Sequence, residues 1–353
     1  MSRCWDYVVV GAGIVGLTIA QYLRRRDPTG SILVLQRGRA GDGASRYSVG
    51  LHFPYGRTEE RRRLSELSHR EHSERFANTT YPYFTAVPFV GVVKRDNAGA
   101  RISEFHAPVR EETDPKIALG SLAPSLRTGD HTLLSVEECH YADVGRLCGL
   151  LADGLRRNDR AEIWEGAPIA EIAPGPADVV LQLSYGETVR AAQVILAIGP
   201  WVRERPFDHL LRELDIRVKK VVALHVNRLP KKRDAAIFFL DEDAFLLPMY
   251  EAGYWVLSYT STKWGVSPAA TLEVTREDRQ EALGVLDQYL PELTAACHGG
   301  RAFCDAYTSE PAPVVRRLVQ YPRVILAGAA GGSGYRLSPG IAIQAAELAA
   351  RGT

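Results

Sequence analysis

The sequence predicts an α/β protein, in which a Rossmann-type domain of discontinuous segments is joined to a smaller α+β domain with an antiparallel sheet. Three observations predict this class. Residues 7–10 form an apolar run that ends in glycine, as expected for a parallel strand buried on both faces. Residues 194–199 and 324–328 have the same form. The stretches 81–110 and 216–262 are instead rich in Val, Tyr, Phe and Thr with partial alternation, which is typical of antiparallel strands.

Length and composition disfavour several classes of protein. The 353 residues, 46% of them apolar and 24% charged, fit one large or two ordinary globular domains. The 43 Lys and Arg residues balance 42 Asp and Glu residues, which argues against a nucleic-acid partner. No apolar run is long enough to span a bilayer, and the first residues lack a secretory pattern. The five cysteines form neither CxxC pairs nor a dense framework, so we expect reduced thiols, no metal site and a cytoplasmic location.

Residues 5–35 follow the order strand, tight turn, helix, strand. The helix is expected from Ile14 to about Arg26, because its apolar residues recur at helical spacing. A proline and a glycine then end the helix, and residues 32–35 form the second strand. This order is the one in which a nucleotide-binding βαβ unit begins.

Three glycines, Gly11, Gly13 and Gly16, form a G-x-G-x-x-G pattern between the first strand and this helix, which is the context that a dinucleotide site requires. The first permits the turn, the second lets a pyrophosphate approach the backbone, and the third packs helix on strand. The phosphates then lie at a helix N-terminus, where free N–H groups favour negative charge. Gln36 follows the second strand, where an acid normally accepts from ribose hydroxyls. A glutamine carbonyl still accepts, but as a neutral group.

A second glycine-rich loop precedes the last predicted helix. Residues 331–334 contain three glycines, and Ser338 and Pro339 suit the N-cap and N1 positions of a helix over 340–350. A helix N-terminus beside a glycine loop suits an electron-rich part of a cofactor.

The sequence resembles the D-amino acid oxidase superfamily of FAD-dependent oxidoreductases, which includes sarcosine oxidase and glycine oxidase. Three features carry this resemblance: the first glycine loop, the Gly/Ser-rich segment after Gln36, and the second glycine loop with the residues that follow it, Gly-Gly-Ser-Gly-Tyr-Arg-Leu-Ser-Pro. The resemblance covers residues 5–56, 141–201 and 320–350. It implies an FAD-binding domain and a sheet domain that lies over the substrate. The expected boundaries are 1–80, 139–205 and 315–353 for the FAD-binding domain, and 81–138 and 206–314 for the substrate domain.

The resemblance implies that the chain binds FAD. The glycine pattern would hold the pyrophosphate and Gln36 the ribose, while later stretches would line the ribityl chain, the isoalloxazine ring and the adenine. The full set of expected cofactor residues is Gly11, Ala12, Gly13, Ile14, Val15, Gly16, Gln36, Arg37, Ser45, Arg46, Gly50, Leu51, Ala167, Ile169, Ala197, Gly199, Trp201, Gly332, Gly334, Tyr335, Arg336 and Leu337.

The resemblance also suggests substrate contacts. Arg336 stands where sarcosine oxidases carry a basic residue for the substrate carboxylate, so we expect it to anchor that group. Tyr307 begins a segment similar to one in sarcosine oxidases, and it is either a wall of the pocket or an ordinary strand residue. The hairpin with Tyr250, Tyr259 and Thr260 resembles the family strands over the reacting face of the flavin. These three residues are therefore candidates for substrate contact.

Several positions depart from sarcosine oxidase. His52 replaces an arginine, and is either a substrate ligand or general base, or a histidine packed beneath the flavin loop. Val256 stands where sarcosine oxidase has an oxygen-activating lysine, and Lys263 lies seven positions later. The electron acceptor therefore stays open. Cys304 lies near the place of a cysteine that links FAD covalently in sarcosine oxidases, but its spacing to Tyr307 differs, so we expect non-covalent FAD.

We therefore expect an FAD-dependent oxidoreductase that oxidises the C–N bond of an amino-acid-like or secondary-amine substrate to an imine, with the flavin reoxidised by oxygen or another acceptor. Residues 48–52 also resemble L-2-hydroxyglutarate dehydrogenase, so a 2-hydroxy-acid dehydrogenase is the alternative enzyme. A non-catalytic flavoprotein subunit is the third hypothesis. The expected partner is a small molecule, with no nucleic acid and no membrane span. Residues 57–66, His69 and His72 are predicted on a solvated helix.

Overall fold

The structure, a computed structural model, describes residues 4–77, 83–114, 119–122, 126–127 and 129–351. The helices are α1 (Ile14–Arg26), α2 (Ala44–Tyr47), α3 (Glu59–Ala77), α4 (Ala98–Ile102), α5 (Val144–Arg156), α6 (Arg276–Tyr289) and α7 (Gly334–Ala350). The strands are β1 (Cys4–Val10), β2 (Ile32–Leu35), β3 (Phe84–Ala86), β4 (Phe89–Lys94), β5 (Val109–Glu112), β6 (His131–Val136), β7 (His140–Ala142), β8 (Ala161–Trp164), β9 (Ile169–Pro174), β10 (Val179–Leu183), β11 (Thr188–Leu196), β12 (Ile216–Val226), β13 (Ala236–Phe239), β14 (Ala244–Met249), β15 (Tyr254–Trp264), β16 (Cys297–Thr308), β17 (Val314–Leu318) and β18 (Tyr321–Gly328).

The first large sheet has the order β17-β18-β11-β1-β2-β8, and β10 and β9 extend it from β11. The strands β18, β11, β1, β2 and β8 run parallel, and the others pair antiparallel. Both faces of its centre are covered, since Val8 and Val9 have no exposed surface. The three Gly-ending apolar runs of the sequence are therefore neighbouring strands of one sheet.

The second large sheet has the order β16-β12-β15-β14-β13-β4-β6-β5. All its pairs are antiparallel except β13 with β4. The short strands β3 and β7 form a separate antiparallel pair. The mixed α/β class predicted from the sequence is confirmed, and the domain boundaries stay a prediction.

Helices α1, α5 and α7 cover one face of the first sheet, where Leu17, Leu147 and Ile341 belong to one buried apolar cluster. Leu64 of α3 joins the same cluster, so α3 packs on the outside of α7. A second apolar cluster on the opposite face includes Ala306 of β16, and it joins the two large sheets. Burial of these apolar side chains is the main force that holds the layers together.

The last helix begins earlier than the sequence suggests. It starts at Gly334, so the prediction that Ser338 and Pro339 begin the helix is wrong. Proline cannot donate to the Tyr335 carbonyl one turn earlier, and the Ser338 hydroxyl donates to that carbonyl instead, at 3.0 Å. The buried Ser338 side chain thus allows the helix to continue through the proline.

Close contact between α3 and α7 gives a test of the packing. A Cβ on Gly340 would lie 2.5 Å from the Leu64 carbonyl oxygen. We predict that Gly340→Ala lowers the free energy of unfolding by about 1–3 kcal/mol, measured by urea denaturation. Gly284→Ala in α6 is the matched control, because a Cβ there meets nothing within 4 Å. That variant should be unchanged or more stable by up to about 1 kcal/mol. Equal effects of the two substitutions would contradict the packing.

Candidate functional site

A cavity of about 550 Å³ lies at the carboxyl ends of the parallel strands and is also lined by the second large sheet. The first sheet contributes Gly11, Gln36 and Ala197, each of which follows a parallel strand. Ligands of open α/β sheets bind at this edge, since the strands end there and helices begin. The second sheet contributes Val221, Ala223, Phe238, Phe245, Ser258, Thr260, Phe303, Asp305 and Tyr307.

The glycine loop after β1 is too crowded for other residues. Gly11 has φ of 104°, and a Cβ on it would lie 2.5 Å from the Ala197 carbonyl oxygen. A Cβ on Gly16 would lie 1.9 Å from the Gly11 carbonyl oxygen. Helix α1 therefore begins directly against the strand end. Its N-cap, Gly13, supplies no side-chain cap, so the N-terminus can hold an anion such as a pyrophosphate.

Gln36 and Ser45 hold this loop from outside it. The Gln36 carbonyl oxygen accepts the Ala12 N–H at 2.9 Å, and the Ser45 hydroxyl accepts the Ile14 N–H at 2.9 Å. The Gln36 carbonyl, expected to accept from a ribose, is thus engaged with the backbone. Gln36 lines the cavity, and its amide NH₂ is still a donor.

Trp201 lies at the same end of the cavity, in the short 3₁₀ helix Gly199–Arg203. Its indole N–H is buried and has no hydrogen-bond partner in the described part of the chain. The Arg37 guanidinium lies 3.9 Å from the centre of the indole ring, a cation–π contact. A buried unpaired donor costs free energy, so this end of the cavity fits a polar ligand that accepts the bond.

The second glycine loop precedes α7 and faces β16. Gly331 and Gly332 have φ of 56° and 76°. The Gly332 N–H donates to the Asp305 carboxylate at 2.8 Å, and burial raises the pKa of Asp305. A Cβ on Gly331 would lie 2.9 Å from the Tyr307 ring, so the loop packs directly on that side chain. Tyr307 is therefore a wall of the cavity.

Arg336 is buried in the first turn of α7 and lines the cavity. Its guanidinium donates to the Tyr55 carbonyl and to the Ser333 hydroxyl, and lies 4.8 Å from the centre of the Phe53 ring. Burial, together with a smaller contribution from the nearby charge of Arg61, lowers the pKa of Arg336 to about 9. The group is thus a buried cation at neutral pH. No acidic side chain lies within ion-pair distance of it among the described residues.

Sequence reasoning missed Tyr55, Arg57, Arg61, Asp243 and Asp305, all of which line the cavity. The charged run 57–66 was expected to be a solvated helix, and the structure corrects this for two of its four arginines, Arg57 and Arg61. Arg57 precedes α3 and Arg61 lies in its first turn, and both line the cavity. The four-residue spacing was the only signal in the sequence, and it also fits a solvated face.

Two tyrosines expected at the substrate lie elsewhere. Tyr259 donates its hydroxyl to Glu281 of α6, because β15 alternates and places Ser258 and Thr260 at the cavity instead. The Tyr250 hydroxyl donates to the Asp234 carbonyl. The structure does not bring either side chain to the cavity.

His52 is fully buried outside the cavity, in a cluster with His69, His72, His106 and His140. Its Nε2 lies 2.9 Å from Nδ1 of His69, while its Nδ1 has no partner in the described chain. His72 is buried too, which corrects the prediction of a solvated helix face. Of the two alternatives for His52, the structure favours a histidine packed beneath the loop.

The histidine cluster joins α3 to α7. His72 Nε2 donates to the Arg336 carbonyl at 3.3 Å, and His140 Nε2 lies 2.9 Å from the Tyr335 hydroxyl. Tyr335 and Arg336 both line the cavity, so the cluster supports two residues of the site from behind. In the described ranges, no three His, Cys, Asp or Glu side chains are placed to hold a metal ion.

Cys304 and Lys263 are also outside the cavity. Cys304 is buried in the apolar cluster between the sheets, since β16 turns Phe303 and Asp305 to the cavity and Cys304 away. Burial raises the pKa of the Cys304 thiol to about 12. The Lys263 ammonium lies 3.5 Å from the Asp278 carboxylate, beside α6. No lysine is among the described residues that line the cavity.

Most of the expected cofactor residues meet at the cavity, and a few do not. Arg46 is exposed and pairs with Asp42 at 3.8 Å, while Leu337 is in the apolar core. Ala12 and Gly16 support the glycine loop without facing the cavity. The expected residues that line it are Gly11, Gly13, Ile14, Val15, Gln36, Arg37, Ser45, Gly50, Leu51, Ala167, Ile169, Ala197, Gly199, Trp201, Gly332, Gly334, Tyr335 and Arg336.

Comparison with known proteins identifies the class of site. A family model described as FAD dependent oxidoreductase matches residues 6–348. No curated protein sequence gives a significant match. Among the helices that the structure describes, none is long and apolar enough to cross a membrane.

Three solved structures show the same fold. Glycine oxidase from Geobacillus kaustophilus has a TM-score of 0.79 at 18% identity, covering 100% of this chain and 96% of that one. L-proline dehydrogenase from P. horikoshii has a TM-score of 0.83 at 17% identity, covering 100% and 95%. L-α-glycerophosphate oxidase from Mycoplasma pneumoniae, with FAD bound, has a TM-score of 0.81 at 14% identity, covering 99% and 95%.

The histidine cluster predicts a pH dependence of stability. Burial lowers the pKa of His140 to about 3 and of His106 to about 4, and places those of His52 and His72 well below the ordinary value. The unfolded chain binds protons near pH 6.5, whereas these folded histidines stay neutral. The free energy of unfolding should therefore fall as pH drops from 7 toward 4, by up to about 1.4 kcal/mol per pH unit for each histidine.

Urea denaturation at a series of pH values measures this slope. His106→Asn should make it shallower, whereas His298→Asn, at an exposed position, should leave it unchanged. A slope that is the same in both variants would contradict the role of the cluster.

Proposed function

The chain belongs to the DAO family of FAD-dependent oxidoreductases, and from that premise we propose that it oxidises the C–N bond of an amino-acid-like or secondary-amine substrate to an imine. One observation carries the proposal: the buried cation of Arg336 lies in the same cavity as the glycine loop after β1. A buried cation without an acidic partner in the described chain fits a substrate carboxylate. FAD, when bound, supplies the hydride acceptor.

The residues of the first sheet fit the cofactor. The crowded Gly11 turn, the N-terminus of α1 with glycine as its N-cap, and the unpartnered indole N–H of Trp201 together fit a pyrophosphate and a nucleotide. The loop at Gly332 would then lie against the flavin, next to Arg336. The cofactor and the substrate carboxylate are thus held from adjacent positions.

The chain's own residues supply orientation and exclusion of water. The Arg336 guanidinium would fix the carboxylate, which places the carbon beside the nitrogen at a defined distance from the flavin. Aromatic side chains surround this end of the cavity and keep it apolar. They are Phe53, Tyr55, Phe238, Phe245, Phe303 and Tyr307.

The position of His52 favours an amine over a 2-hydroxy acid. Oxidation of a C–OH bond needs a base to take the hydroxyl proton, and His52 was the candidate for that role. No histidine is among the described residues that line the cavity. A neutral amine gives up hydride with less acid–base help. Among the similar structures, two are named for amino acids and one for a glycerophosphate.

Anaerobic mixing of the purified protein with candidate substrates tests the proposal. We expect an N-methyl or α-amino acid to bleach the visible flavin absorbance and to release ammonia or an amine. Bleaching by a 2-hydroxy acid alone would replace the proposal with the alternative enzyme. A flavin that no compound of either class reduces would favour the non-catalytic subunit. Readmission of air, compared with addition of a dye, then identifies oxygen or another acceptor.

Arg336 gives a direct test of the carboxylate anchor. Arg336→Ala should raise KM about tenfold or more with FAD content intact, because a charged hydrogen bond to the substrate is lost. Arg336→Lys keeps the charge and should have a smaller effect. Arg351→Ala, at the exposed end of the same helix, is the control and should have wild-type kinetics. Unchanged KM in Arg336→Ala would remove this residue from the substrate site.

The buried position of Cys304 predicts non-covalent FAD. Acid precipitation of the protein should leave all the flavin in the supernatant. Cys304→Ala should keep the same FAD content as the wild type, since the thiol faces the apolar core. Flavin that stays with the precipitated wild-type protein but not with the variant would show a covalent link.

A further inference from the structure

Two arginines share one hydroxyl at the substrate end of the cavity. The guanidinium groups of Arg61 and Arg336 both donate to the Ser333 Oγ. Arg61 also donates to the Pro311 carbonyl at 3.4 Å, and its Nε is buried with no partner in the described chain. Burial lowers the pKa of Arg61, and the Arg61 charge lowers the pKa of Arg336. The two cations are therefore close enough to repel each other.

The neighbouring acids do not form ion pairs with these two arginines in the described part of the chain, although the Asp243 carboxylate raises the pKa of each from a greater distance. The Asp243 carboxylate lies 3.4 Å from the Arg57 guanidinium and forms the ion pair there. Asp305 accepts backbone N–H groups from Gly332 and Ala306, and burial raises its pKa. No ion pair of the described residues includes Arg61 or Arg336. The buried Arg336 guanidinium and the half-buried Arg61 guanidinium thus have no carboxylate within ion-pair distance among the described residues.

We propose that the substrate is an amine that carries two carboxylates, one for Arg336 and one for Arg61. Each guanidinium can bind a carboxylate through two parallel N–H···O bonds, and a dianion neutralises both cations. A monocarboxylate leaves one of them uncompensated in a low-dielectric site, which is costly. The inference rests on the proposed amine oxidation for the reacting group, while the binding of two carboxylates depends only on the arginines.

Arg61 is then a specificity-determining residue. Arg61 belongs to α3 and Arg336 to α7, so the two carboxylates would be recognised by different helices. The Ser333 hydroxyl accepts hydrogen bonds from both arginines and thus fixes their relative position. The Arg57–Asp243 pair beside them adds no net charge. A substrate with a single carboxylate bound between both arginines is the competing outcome of the test.

Calorimetric titration of the FAD-containing protein with simple carboxylates separates the two outcomes. The probes are malonate, succinate and glutarate, each compared with the monocarboxylate of equal carbon number. We expect at least one dicarboxylate to bind about tenfold or more tightly than its partner. Equal affinities throughout the series would overturn the proposal.

Variants on α3 assign the second carboxylate to Arg61. Arg61→Gln should abolish the preference for dicarboxylates, Arg61→Lys should keep part of it, and the exposed Arg63→Gln should keep all of it. A preference for dicarboxylates that survives in Arg61→Gln would overturn the assignment to Arg61. If Arg61→Gln loses FAD, the comparison of wild type with Arg61→Lys tests the assignment instead. Anaerobic flavin reduction by amines with one or two carboxylates is scored separately. Failure of every amine would refute the proposed function, whereas the binding preference tests the dianion site.

Discussion

The contact between Gly11 and the Ala197 carbonyl determines where everything else in the site lies. It joins the carboxyl ends of two neighbouring parallel strands so closely that a Cβ does not fit. Helix α1 then begins at that edge, and its first residues, Ile14 and Val15, line the cavity. The last helix, α7, begins at the same edge after β18, and it brings Arg336 to the site.

The first sheet could be predicted from the sequence because the patterns that indicate it are local. Gly-ending apolar runs, the G-x-G-x-x-G spacing and the C-terminal glycine loop each depend on a few consecutive residues. Backbone geometry at those places restricts the choice of residue, so the pattern is visible without the fold. Most of the expected cofactor residues accordingly meet at one cavity. Those that do not are their neighbours in sequence, such as Arg46, which turns outward, and Leu337, which turns into the apolar core.

The substrate end of the cavity was harder to predict, because it depends on contacts between strands and helices that are distant in sequence. Tyr259 and Thr260 are consecutive, and only the register of β15 in its sheet decides that Thr260 faces the cavity. Arg61 has the sequence context of a solvated helix, and becomes a site residue only because α3 crosses α7 beside Ser333. His52 and His72 form one buried cluster for the same reason, since they come from a loop and a helix.

One cavity combines a cofactor edge with a cationic substrate end. A crystal structure of the protein with FAD and a non-reacting carboxylate analogue tests that claim most directly. We predict that the pyrophosphate lies at the N-terminus of α1 and that a carboxylate of the analogue contacts the Arg336 guanidinium. A carboxylate bound away from Arg336, for example beside Tyr250 or His52, would contradict the account.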